Sequence, residues 1–288
     1  MKTREIKING LNLNVNFWGN SKKPKLFLFH GWMDMGASFE FVCRDLQKDF
    51  YCIAPDLRGF GRSEHVKNPL GYFFYEYIAD ANEIFNKLAP GEAVKALGHS
   101  MGGNIISLYA GAFPERVSHF VNIEGFGIQD MPPSMGPDRM RQWIESPLGK
   151  GFKVYKKIPE LADRLIQSNP HLPLDRALFL AKHLGKKVKG GFVIAADPKH
   201  KMKNPYLFQL ENIYAFWEKI QAKCLLISAE QTDMGEWMGG KEDLQREITE
   251  RYRHFPNGSQ TVVMKECGHM IHHEKPGELA RLVREFLR

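Results

Sequence analysis

Ser100 lies in the pentapeptide GHSMG (98–102), directly after the apolar run AVKAL and directly before the run NIISLYAGAF. This spacing fits the GxSxG nucleophile elbow, a tight turn from strand to helix in which small residues let the backbone bend around an exposed serine oxygen. A serine hydroxyl is barely ionised near neutral pH, so it attacks a substrate only when a base lies beside it. The pattern predicts nucleophilic catalysis by Ser100, and a helix that Ser100 merely caps is the structural alternative.

The base should be one of eleven histidines. His269, in MKECGHMIHHEKP, follows the last predicted strand and precedes the last predicted helix, in the loop expected to open beside Ser100. His272 and His273 are expected to lead into that helix or to face solvent. His99 adjoins the serine in sequence but is expected to point elsewhere on the elbow. His269 is therefore the predicted general base.

An acidic residue should orient the imidazole and stabilise its charged form. In the chain order serine, acid, histidine, two carboxylates are available. Asp233 follows the run CLLISAE and is the preferred candidate, although it would also suit the cap of a turn. Glu124 ends the run RVSHFVNIE and is the alternative, although its hydrogen bonds could instead hold the start of the following segment.

A tetrahedral intermediate needs two prearranged hydrogen-bond donors for its oxyanion. The backbone N–H of Met101, directly after the nucleophile, is the first predicted donor. The second is the N–H of Trp32, since the sequence HGWM follows the predicted strand LFLF and Gly31 lets the Trp32 amide turn inward. The Trp32 ring would then line the pocket.

The elements that must position these residues alternate between strand and helix. After a predicted hairpin of REIKIN and LNLNVNFW, apolar strand runs are separated by helical runs as far as Gly125, and the alternation resumes at AKCLLISAE. This order predicts an α/β fold with a mostly parallel central sheet and helices on both faces. The chain divides into a core of 1–125 and 222–288 and an inserted helical cap of 126–221, with one short strand-like run, FVIAAD.

Composition excludes several classes of function. The chain has 288 residues, and its whole net charge of +7 arises between 126 and 222, where 16 basic residues face 9 acidic ones. Clusters such as KVYKK and GKKVKGG there are interpreted as a solvated face, and no nucleic-acid-binding motif accompanies them.

No run is long and apolar enough for stable membrane insertion, and four scattered cysteines show no metal-ligand spacing, so we expect a cytoplasmic protein. No cofactor or metal is predicted, because GxGxxG and GxxxxGK[ST] are missing where they would be needed.

The motifs HGWMDMGASF, APDLRGFGRS, LGHSMGGN and ECGHM, in that order, resemble the capped branch of the α/β-hydrolase superfamily, which includes esterases and epoxide hydrolases. Within that branch the chain is most similar to bacterial serine hydrolase-like proteins. The resemblance implies Ser100 as nucleophile, His269 as base, Asp233 as acid, and Trp32 and Met101 as oxyanion donors. Haloalkane dehalogenases that use a glutamate carry it where Glu124 stands.

The resemblance also indicates the reaction. Related enzymes that form alkyl esters attack with a carboxylate, whereas this chain has a serine, which completes a cycle at an acyl carbon. We therefore expect a carboxylesterase-like serine hydrolase acting on a small to medium ester. The alternatives are hydrolysis of amide, lactone or carbon–carbon bonds, or a ligand-binding or signalling protein with little turnover, since the fold alone does not decide function.

Overall fold

A computed structural model describes residues 1–146, 151–240 and 242–288 of the chain. Its strands are β1 Lys2–Ile8, β2 Leu11–Trp18, β3 Lys25–Phe29, β4 Tyr51–Pro55, β5 Val94–His99, β6 Val117–Ile123, β7 Gly185–Val188, β8 Gly191–Ile194, β9 Lys223–Ala229 and β10 Gln260–Met264. Its α-helices are α1 Glu40–Leu46, α2 Phe74–Leu88, α3 Met101–Ala112, α4 Gly136–Ile144, α5 Ile158–Ser168, α6 Leu174–Leu184, α7 Leu210–Trp217, α8 Leu244–Tyr252, α9 Ile271–Glu274 and α10 Pro276–Leu287.

The central sheet has eight strands in the order β1-β2-β4-β3-β5-β6-β9-β10. The pairs β1–β2 and β2–β4 are antiparallel, and every pair from β4 to β10 is parallel. The predicted hairpin and the predicted α/β fold are both confirmed. Because parallel strands present their carboxyl ends at one edge, the loops after β5, β6, β9 and β10 meet there.

Two hydrophobic layers cover the sheet, because successive side chains along a buried strand point to opposite faces. In β3, Phe27 and Phe29 pack into one layer with α2 and α3, whereas Leu26 and Leu28 pack into the other with α1 and α10. Strands that are apolar on both faces are typical of a sheet with helices on each side. The elbow follows β5, whose residues are buried except for the half-buried Lys95.

The segment between β6 and β9 contains α4 to α7 and an antiparallel hairpin of β7 and β8. The sequence predicts four helices in this segment. The runs DRMRQWIE, IPELADRLIQ and LDRALFLAKHL correspond closely to α4, α5 and α6, whereas in the fourth, NPYLFQLENIYAFWEKI, only Leu210–Trp217 is helical. The GKKVKGG run, read as a solvated face, contributes β7 and the turn, since Gly190 and Gly191 adopt φ of 90° and 150°. The description of 126–221 as a helical cap thus needs this hairpin added, and its limits as a separate unit stay a prediction.

Within the described ranges, no helix is both long enough and apolar enough to cross a lipid bilayer.

Candidate active site

The turn at Ser100 has the geometry of the predicted elbow. Ser100 joins β5 to α3 with φ 52° and ψ −116°, a strained conformation for a residue with a side chain. A Cβ at Gly98 would lie 2.5 Å from the backbone of Gly102, and a Cβ at Gly102 would overlap the carbonyl oxygen of Phe29. The Ser100 amide donates to the carbonyl of Ile123 at 2.8 Å, which ties the turn to β6. The glycines are therefore sterically required, and strained backbone of this kind clusters at active sites.

Glu124 and His269 form a hydrogen-bonded pair beside the elbow. Glu124 Oε2 lies 2.9 Å from His269 Nδ1. The glutamate is only 1% exposed. Its Oε1 accepts the Ala229 N–H at 2.7 Å, and its Oε2 also accepts the Thr232 hydroxyl. These donors fix the carboxylate so that Nδ1–H of His269 points to it and Nε2 stays free to act as a base.

The structure corrects the preference for Asp233 as the partner of His269. Among the residues that the structure describes, Glu124 is the only carboxylate hydrogen-bonded to His269. The loop after β9 is held by backbone bonds from Glu230 to Met264 and from Gln231 to Cys267, which presents the Thr232 hydroxyl to Glu124. Asp233 lies one residue further along and lines the cavity instead.

All six sequence-predicted site residues line one cavity of about 450 Å³. The predicted position of the Trp32 ring is confirmed, and the ring meets Trp237 edge to face at a centroid distance of 5.7 Å. The rest of the lining is predominantly apolar and includes Phe74, Leu108, Ile128, Met131, Leu207, Phe208, Ile213 and Met234. Such a cavity suits a small or medium apolar ligand.

The two predicted oxyanion donors belong to residues that line the same cavity as Ser100. Met101 is the first residue of α3, so its N–H has no partner within the helix. Trp32 follows Gly31, where an added Cβ would come within 3.2 Å of Ser100 Cβ, so this loop is packed directly against the nucleophile. In the described parts of the chain, the Trp32 amide makes no hydrogen bond of its own. Both amides are thus available to an oxygen next to Ser100.

Sequence reasoning missed a buried group of histidines behind the site. His99 Nε2 lies 2.9 Å from the carbonyl oxygen of His269, and burial holds the pKa of His99 well below its ordinary value, so the neutral ring supports the loop that carries His269. His272 and His273 lie in α9, directly before α10, so they lead into the last helix as one of the two expectations had it. They are 0% and 5% exposed, so the alternative that they face solvent is wrong. Burial lowers the pKa of His273 to about 3. The run HMIHHE gave no signal for this burial, because adjacent residues of a helix point in directions about 100° apart.

Known proteins resemble this chain in sequence and in fold. The family model described as alpha/beta hydrolase fold matches residues 24–276. The serine hydrolase-like protein of Danio rerio is 25% identical, over 96% of this chain and 85% of its own length. Serine hydrolase-like protein 2 of Homo sapiens is 26% identical, over 94% of this chain and 88% of its own length. A thioesterase domain from the curacin biosynthetic pathway is 18% identical with a TM-score of 0.85, covering 99% of each chain, and this similarity indicates the fold alone.

Proposed function

Since the chain belongs to the α/β-hydrolase fold family, as the match over residues 24–276 shows, we propose that it is a serine hydrolase of small to medium carboxylic esters. The observation that carries the proposal is the buried Glu124–His269 pair, at 2.9 Å, in the same cavity as a serine on a strained elbow. An arrangement of nucleophile, base and orienting carboxylate is what acyl transfer requires.

In the proposed acylation step, Ser100 Oγ attacks the ester carbonyl carbon while His269 Nε2 takes the hydroxyl proton. The tetrahedral intermediate collapses, the bond to the alcohol oxygen breaks, and the imidazolium of His269 gives its proton to that leaving oxygen. Water, activated by His269 in the same way, then attacks the acyl carbon and releases the acid and free Ser100. The Glu124 carboxylate faces the positive charge that His269 carries in both steps.

The oxyanion is assigned to the N–H groups of Trp32 and Met101. The Met101 amide opens α3, so the partial positive charge of the helix N-terminus lies next to the developing negative charge. Backbone donors held in place before the reaction need no reorganisation as charge develops, which is how such donors accelerate acyl transfer.

The volume and the lining of the cavity determine the substrate class that we propose. A volume of about 450 Å³ with a mostly apolar lining accommodates an acyl chain of moderate length. The same residues would support amide, lactone or carbon–carbon hydrolysis, which are the alternatives to an ester. A cytoplasmic location is also proposed, since all four cysteines are free thiols.

The test is release of p-nitrophenolate from p-nitrophenyl esters of increasing chain length, measured for the wild type and for Ser100→Ala. We expect turnover with an optimum at short to medium chains and a loss of at least about a thousandfold in the variant, which removes the nucleophile. Saturable binding of these esters without turnover by folded wild-type protein would instead support a ligand-binding role. Equal turnover by both proteins would contradict acyl transfer through Ser100.

A further inference from the structure

Three potential metal ligands meet in the interior, outside the cavity that contains Ser100. Asp34, His272 and His273 each offer one ligand atom, and these atoms all lie within 4.8 Å of one another. Asp34 Oδ2 is 3.2 Å from His272 Nε2 and 3.8 Å from His273 Nε2. The residues are 6%, 0% and 5% exposed, respectively. The group therefore brings two imidazoles and a carboxylate together in a place that water hardly reaches.

Protein hydrogen bonds leave part of this group unsatisfied. His273 Nε2, the imidazole nitrogen that faces Asp34, is buried and has no hydrogen-bond partner among the described residues. A buried polar atom with no partner costs about 1 to 3 kcal/mol, so native structures rarely keep one without a reason. At 3.8 Å, Asp34 Oδ2 is too far from His273 Nε2 for a hydrogen bond. That distance does suit two ligands of one ion.

We propose that Asp34, His272 and His273 form a binding site for a divalent transition-metal ion of the Zn²⁺ class. Imidazole nitrogen and carboxylate oxygen are ligands that Zn²⁺ accepts, at bond lengths of about 2.0 to 2.2 Å. Neighbouring ligand atoms in a tetrahedral site are then about 3.3 Å apart, close to the separations already present. Ca²⁺ and Mg²⁺ prefer all-oxygen sites, which this group does not provide.

The surroundings provide the outer support that a metal site needs. The Ser38 hydroxyl donates to Asp34 Oδ2 at 2.8 Å and so orients the carboxylate. Arg176 donates to the carbonyl of His273 at 2.7 Å and anchors α9 from the neighbouring α6. His30, also near Asp34, is not available as a ligand, because its Nδ1 contacts the Gly31 carbonyl at 2.7 Å and its Nε2 accepts the Leu57 N–H at 2.9 Å.

The site adjoins the proposed catalytic base. The rings of His272 and His99 are 4.3 Å apart, and His99 in turn holds the carbonyl of His269. An ion that reorients His272 would therefore disturb His99 and slow ester hydrolysis. This consequence rests on the proposed function, whereas metal binding itself does not.

The experiment is calorimetric titration of the metal-free full chain with ZnCl₂, repeated with CoCl₂ to read the visible absorption of tetrahedral Co²⁺. We expect one ion per chain. Asp34→Asn and His273→Asn should each weaken binding by more than the tenfold typical of losing an outer-shell partner, and Ser38→Ala by about tenfold. His171→Asn is the matched control, because the His171 side chain is exposed and provides none of the three ligand atoms.

Circular dichroism of each variant checks the fold, and if Asp34→Asn does not fold, His273→Asn and Ser38→Ala still decide the question. A wild type that binds no Zn²⁺ would overturn the proposal. Binding of unchanged affinity in both His273→Asn and Ser38→Ala, or loss of binding in His171→Asn, would overturn it as well. Since these readouts do not involve ester turnover, an inactive wild type that still binds one ion would contradict only the proposed function.

Discussion

Replacing Glu124 by glutamine tests the most specific assignment in the site. Glutamine has the same shape and can keep the Oε1 contact with the Ala229 N–H, which is 2.7 Å long in the wild type. It removes the negative charge that faces His269 Nδ1 at 2.9 Å. The change therefore acts on the charged state of His269 more than on the fold.

The expected loss of kcat follows from the 2.9 Å separation of Glu124 Oε2 and His269 Nδ1. Coulomb's law at an effective dielectric constant of about 20 gives about 5 to 6 kcal/mol between a carboxylate and an imidazolium at this distance. Each 1.36 kcal/mol corresponds to a factor of about ten in rate, so kcat should fall by about 10⁴. A similar loss accompanies amide replacement of the acid in serine protease triads. KM should change little, because Glu124 meets the charge of His269 only after substrate is bound.

The assay is p-nitrophenyl ester hydrolysis, with Asp233→Asn as the matched control. Asp233 lines the same cavity and carries the same charge, yet it makes no hydrogen bond to His269 among the described residues. We expect this variant to stay within about threefold of the wild type, as is usual where no transition-state contact is lost. A thousandfold loss in Asp233→Asn together with an active Glu124→Gln would refute the reasoning and restore the original preference for Asp233.

Three further predictions concern stability, each measured by urea or thermal unfolding. Gly102→Ala should destabilise the fold by at least about 3 kcal/mol, because the added Cβ would overlap the carbonyl oxygen of Phe29. Gly277→Ala is the control and should be neutral, because there is open space around Gly277. Equal effects of the two substitutions would contradict the steric argument. Burial lowers the pKa of His200 to about 3 from 6.5, so the unfolded chain binds one more proton at this residue between these pH values, and His200 should contribute a loss of about 1.4 kcal/mol of stability per unit below pH 6.5. His200→Phe should reduce the slope by that contribution, leaving the part due to His99 and His273, and an unchanged slope would show that His200 contributes nothing. Trp217→Phe should cost about 1 to 3 kcal/mol, since the fully buried indole N–H donates to a serine hydroxyl at 2.9 Å, and no loss would mean that this bond contributes nothing.

The sequence was sufficient for the parts of the site that depend on local pattern. The elbow follows from glycine spacing around Ser100 and from the strand and helix that flank it. The position of His269 follows from its place after the last strand, because the carboxyl ends of parallel strands, and the loops that follow them, lie at one edge of the sheet. Both inferences need only the order of elements along the chain.

The acid could not be chosen in this way, because it depends on how two distant strands pair. Ile123 is in register with Ile227, and the Glu124 amide donates to the Ile227 carbonyl at 2.8 Å, which turns the glutamate toward His269. A positive φ of 57° at Glu124 completes that turn. Asp233 and Glu124 both follow neighbouring strands, and the sequence favoured Asp233, whereas the tertiary register brings Glu124 to His269.

The burial of His272 and His273 was also beyond the sequence. A histidine pair before a terminal helix ordinarily faces solvent, and the pattern does not reveal that α9 packs beneath the elbow. The hairpin of β7 and β8 could not be predicted either, because β7 has only four residues and two of them are lysines. In both cases the structure depends on long-range packing, which the polarity of neighbouring residues does not predict.

The central claim, that Ser100 is an activated nucleophile, is tested most directly by covalent labelling with an alkyl fluorophosphonate. The reagent phosphonylates serines that a neighbouring base activates, and mass spectrometry of peptides locates the adduct. We predict one adduct per chain, on Ser100, and loss of ester hydrolysis in step with labelling. Folded wild-type protein that remains unlabelled, or that carries the adduct on another residue, would contradict the account.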